Sequence, residues 1–152
     1  MAISDWFARK AAVDLEIRDL VAFILSSCNA MGIMGFAAPF PCKWQTLREL
    51  LLDRETQNIT GAYVFGFFDY LGQARGLSEE VIIATAKESL KKGLSISGSC
   101  ASDLVNAGVL ASRTERGREI IKDGAMAIAD FLEHKKPPFG RKFTEALAFG
   151  MG

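Results

Sequence analysis

Residues 59–76, ITGAYVFGFFDYLGQARG, decide the fold. Their aromatic and β-branched content would allow a strand. Against that, Tyr63, Phe67, Tyr70 and Ala74 share one helical stripe, and Val64, Phe68 and Leu71 form a second stripe beside it. Arg75-Gly76 is a helix stop, and Leu77-Ser78-Glu79-Glu80 opens another helix with a hydroxyl cap and two carboxylates at the positive end of its dipole. The segment therefore reads as a buried helix.

Downstream the punctuation is regular. The helix from Ser78 to Lys92 carries Lys91 and Lys92 in its last turn, with Gly93 expected to terminate it. The small-residue linker Ser95–Ser99 leads to a helix near Cys100–Ser112. Thr114 caps a long helix to about Lys135, whose inner face reads Ile121, Gly124, Ala125, Ile128, Phe131 and Leu132. Pro137-Pro138 ends it, and a short helix over 142–149 follows. Glycines at 61, 66, 72, 117 and 124 fall inside expected helices, at about 1 kcal/mol each against alanine, which suits places where two backbones approach closely.

Upstream, Ser4 is a plausible cap for an amphipathic helix through Phe7, Ala11, Leu15 and Ala22 that ends near residues 26–29. From Leu20 to Cys42 the chain runs for 23 residues without a charge. Gly32, Gly35, Pro39 and Pro41 break its second half, its most polar patch (Ser26 to Asn29) sits near the middle, and its flanks lack a positive-side bias. The reading is a helix end followed by an apolar Met/Phe/Pro-rich loop over residues 30–43. That loop either completes the core or stays exposed, in which case Met31, Met34, Phe36, Phe40 and Trp44 would form an interface. A short helix with Leu47, Leu50 and Leu51 inward spans 44–54.

The sum is a single all-α domain over residues 1–152, a compact bundle of about six or seven helices. With 49% hydrophobic residues, the chain can bury a full core. Lys and Arg total 18, as do Asp and Glu, so the basic excess that nucleic acid demands is missing. Three cysteines without a C-x-x-C spacing suit a reducing compartment, and the acidic, amphipathic start lacks the order of a signal peptide; a cytoplasmic protein is expected.

No motif names a reaction. His134 lies one turn from Asp130, and with Cys100 a Cys-His-Asp set can be imagined, but a surface pair at a helix end is the simpler account. Neither cofactor nor metal is expected, since one His and scattered Cys make no ligand set. Asp69, inside the most apolar helix, must point outward or find a partner such as Tyr63, Tyr70, Gln73 or Arg75. With Tyr63, Phe67, Tyr70 and Gln73 it is the candidate polar anchor of an apolar cavity. The stretch Gly61–Glu80 has the look of small bacterial helical proteins, a likeness that carries no function. The expected role is non-enzymatic: protein–protein contact, self-association as a dimer first or an unidentified protein partner. A small-molecule or lipid binder with its cavity near Asp69 is the alternative, and attachment to a membrane through residues 20–42 is a further one.

Overall fold

The computed structural model describes residues 13–150 apart from 32, 38, 39 and 46, and between 30 and 45 it describes the backbone alone. Among these residues seven helices and one two-stranded ribbon follow in order. They are α1 Leu15–Met31, β1 Ile33–Ala37, β2 Phe40–Gln45, α2 Leu47–Leu50, α3 Arg54–Ala74, α4 Glu79–Leu94, α5 Gly98–Ala111, α6 Glu115–His134 and α7 Arg141–Phe149.

Helix α3 is the deciding segment, and it is a helix. Asp53 caps its start by accepting from the Thr56 N–H at 3.0 Å. At its end Gly76 takes φ +68°, the Leu77 N–H donates to the Gly72 carbonyl at 2.9 Å, and the Gly76 N–H to that of Gln73 at 3.1 Å. Those two bonds make a Schellman motif, which needs the left-handed conformation that glycine adopts freely. Residues 59–64 are buried without interruption, so the helix runs through the protein rather than along its surface. It packs along α6 on one side and α5 on the other, while α1 pairs with α4.

Close contact is made by glycines. A Cβ on Gly124 of α6 would strike the Tyr63 carbonyl, and one on Gly66 of α3 would strike the carbonyl of Ile121. The two helices thus cross backbone against backbone, glycine to each side. A Cβ on Gly61 would lie 2.6 Å from the Leu104 carbonyl of α5.

The two hydroxyl caps read in the sequence, Ser78 and Thr114, are present, and Ser97 adds a third inside the expected linker. Ser78, Ser97 and Thr114 accept from the N–H of Val81, Cys100 and Gly117 at 3.3, 3.1 and 3.0 Å. Gly93, however, does not stop α4. That helix continues to Leu94 and ends on Ser95 in the left-handed region, φ 53°. Gly93 instead admits α1, since a Cβ there would meet the Ala22 carbonyl at 2.9 Å.

The uncharged run is not one element. Its first part belongs to α1, which starts on an Asp14 cap (Ile17 N–H to Asp14 Oδ1, 3.0 Å) and not as the continuation of a helix from Ser4. Ser4, Phe7 and Ala11 lie outside the described residues. Val21, Ala22, Ile24 and Leu25 are buried, but Phe23 is 70% exposed, so the run is not apolar all round for burial's sake. Its second part, expected as a loop, is an antiparallel ribbon. Ile33 pairs with Gln45, Met34 with Trp44, Phe36 with Pro41 and Ala37 with Phe40, with a register shift between Met34 and Phe36. Glycines and prolines that break a helix also serve a bulge and a tight connection between strands. Two strands alone are marginal in water, and β1 leans on α7. Trp44 consequently belongs to β2, and α2 shrinks to 47–50 with Leu47 and Leu50 buried. No helix among the described residues is long and apolar enough to cross a membrane.

Candidate functional site

Tyr63 sits at the junction of the fold's two sides. Facing inward, its ring is part of an aromatic cluster. It lies 5.6 Å from Phe67, 5.6 Å from Phe139 and 4.8 Å from Phe143, and the Phe139 and Phe143 rings meet edge to face at 5.0 Å. Its hydroxyl donates to the Pro138 carbonyl at 2.6 Å, which pins the connection between α6 and α7. That connection exists because Lys135 leaves α6 in the left-handed region, φ 54°, and Pro137-Pro138 cannot rejoin a helix. Phe139 then drops into the cluster and α7 starts.

Outside Tyr63, α6, the proline loop and α7 enclose an open cleft of about 670 Å³. Tyr63, Pro138, Ala127 and Ala146 contribute apolar surface to it, as do Met126 and Phe149, which are 56% and 74% exposed. Apart from Pro137 and Gly140, the remaining lining residues carry charges of both signs. Arg116 pairs with Glu119 at 3.1 Å and donates to the Gly150 carbonyl at 3.2 Å, tying the end of α7 to the start of α6. Arg141 pairs with Glu145 at 2.8 Å. Lys122, Lys136, Lys142, Asp123 and Asp130 line the same cleft and have no ion-pair partner among the described residues.

Among the described residues two groups, Tyr63 and Cys28, titrate above their usual range. Burial, then the negative charge of Asp123 and the Cys28 sulfur, push the Tyr63 phenol above its usual range. Burial pushes the Cys28 thiol up to about 11, so its nucleophilic thiolate is scarce at neutral pH. Tyr63 remains a donor to the Pro138 carbonyl.

The five residues expected around a cavity are divided by the fold. Tyr63 and Phe67 belong to the filled aromatic cluster. Asp69 and Tyr70 are half-buried on another part of α3, and Gln73 is exposed. Gln73 Nε2 reaches Asp69 Oδ1 at 3.5 Å, while Arg75 turns away to Asp14 at 3.3 Å and Glu16 at 3.0 Å. Asp69 therefore finds its way out through the surface, and the cleft forms without it. The side chains of Met31, Met34, Phe36, Phe40 and Trp44 lie outside the described residues; their backbone forms the last turn of α1 and the ribbon. His134 is exposed, with Nε2 3.7 Å from Glu133, and no hydrogen bond or ion pair among the described residues joins it to Cys100 or Asp130. Among those residues no group of three His, Cys, Asp or Glu converges on one point.

Sequence reading did not single out Lys122, Met126, Lys136 or Phe149. Their only local signal is the Pro-Pro-Phe-Gly connection between two amphipathic helices, since the cleft is assembled by the turn there. Compared with protein-family models, with curated proteins and with solved structures, the chain finds no match in any of the three.

Proposed function

We propose that this chain is a non-enzymatic cytoplasmic binding protein that acts through protein–protein contact, first of all with another copy of itself. The observation that carries the reading is a set of large apolar side chains left outside a filled interior. Phe23, Met126 and Phe149 are each more than half exposed, although the rings of Tyr63, Phe67 and Phe143 are fully enclosed. Exposed aromatic and methionine side chains are what protein interfaces concentrate. The backbone of β1 contacts the same helix, α7, that ends in Phe149. Light scattering on a size-exclusion column should give a mass of two chains that falls to one on dilution; a single-chain mass at every concentration would end this reading.

A second reading has one observation in its favour. The 670 Å³ cleft falls within the size range of small-molecule sites and has an apolar floor. Its polar groups would be those of α6 and α7, not Asp69. Native mass spectrometry of the purified chain would then show retained extra mass, and a clean chain mass would count against it.

A further inference from the structure

We propose that the self-association surface is the outer stripe of α6 in this cleft, paired antiparallel with the same stripe of a second copy about a two-fold axis through Met126. The proposal rests on the self-association reading above and assigns it a surface.

A two-fold interface brings one patch against itself, so a patch of a single sign repels its copy and only a patch with both signs, suitably ordered, attracts it. Helix α6 has that order. Lys122, Met126 and Asp130 follow at intervals of four residues and lie on one stripe of the helix. Met126 is the midpoint, with the ammonium one turn before it and the carboxylate one turn after. Two such helices laid antiparallel place Met126 against Met126 and each Lys122 against the other copy's Asp130, about 6 Å along the axis on either side.

Three features of the monomer fit this pairing. Lys122 and Asp130 have no ion-pair partner among the described residues of their own chain, so neither must break a contact to reach across. Glu119, one turn beyond Lys122, would face acidic Glu133 of the copy, but it is already neutralised by Arg116 at 3.1 Å. Phe149 of α7 stands in the same cleft as a second apolar anchor beside the axis. An open cleft would also leave a small ligand covered on one side only, where small-molecule sites enclose most of their ligand. A second helix face covers it better.

The test uses two single charge reversals in the full chain, K122D and D130K, with helical content checked by circular dichroism. Each variant alone presents like charges at both ends of its stripe, and its dimer should weaken by at least about tenfold. An equimolar mixture should restore association as a heterodimer of near wild-type strength, because acidic stripe then meets basic stripe. M126E, at an exposed position that should not disturb folding, should give a single-chain mass. If wild type itself is monomeric at every concentration, the self-association reading fails and this proposal with it. If wild type is dimeric and all three variants remain so, the reading stands and this surface is wrong. Loss of dimer in both reversals without recovery on mixing also overturns the pairing.

Discussion

Helices α3 and α6 cross at glycines and share one interface, yet they stand in opposite relations to the rest of the protein. Helix α3 is buried nearly all round through its middle, residues 59–68. Helix α6 gives Ile120, Ile121, Gly124 and Ile128 to the interior and keeps its other face in water. A residue on α3 is judged by the space it fills, and a residue on the outer face of α6 only by what it can offer a partner. The same residue type should therefore respond to mutation very differently in the two places.

The sharpest form of that contrast uses phenylalanine. Phe67, fully buried in the aromatic cluster, should cost roughly 4 kcal/mol when replaced by alanine, because transfer energy is lost and a cavity remains. Phe149→Ala should stay within about 0.5 kcal/mol. For a domain of this size the first change lowers the melting temperature by about 8–16 °C and the second by about 2 °C or less. Comparable losses for the two variants, measured by thermal unfolding at a dilution where the chain is monomeric, would mean that Phe149 is packed and that the cleft is interior space.

Next in size is the crossing itself. Gly124→Ala sets a methyl group against the Tyr63 carbonyl, and a backbone atom cannot rotate away as a side chain can. Overpacking of this kind costs roughly 3 kcal/mol. Gly98→Ala, at the first position of α5 with Lys91 methylenes 4.0 Å off, should be neutral or slightly favourable. A neutral Gly124→Ala in the same unfolding measurement would show that α3 and α6 are farther apart than the glycines imply.

This division explains what could be read from the chain beforehand. Helices were legible where a period and a cap agree: the two stripes of residues 59–76, and the hydroxyls of Ser78 and Thr114. Errors fell where one residue serves two purposes. Gly93 has the position of a helix stop but acts as a contact surface for α1. Asp14 caps a new helix in the middle of an amphipathic pattern that runs on as if unbroken. The glycines and prolines after residue 31 break a helix equally well for a loop and for a ribbon. Asp69 has a stripe but no sequence-level sign of what faces that stripe. The cleft was the least legible part, because α6, the proline loop and α7 become its walls only when Tyr63 holds the loop through the Pro138 carbonyl.

Buried hydroxyls give the smallest effect and the finest version of the contrast. Thr60 of α3 and Thr85 of α4 are both almost fully buried. Thr85 Oγ1 accepts from the Asp14 N–H at 3.0 Å and so holds the start of α1, whereas Thr60 Oγ1 has no hydrogen-bond partner among the described residues. A buried hydroxyl without a partner has lost its water and gained nothing in return, so exchanging it for a methyl of the same shape removes a penalty. Thr60→Val should raise stability by about 0.5–1 kcal/mol or leave it unchanged. Thr85→Val leaves the Asp14 N–H without its acceptor and should lower stability by roughly 1–2 kcal/mol. The sign of the difference is the measurable quantity in denaturant unfolding. Equal losses in both variants would mean that the Thr60 hydroxyl is bonded after all, and that the interior around α3 holds a polar contact absent from its packing as described.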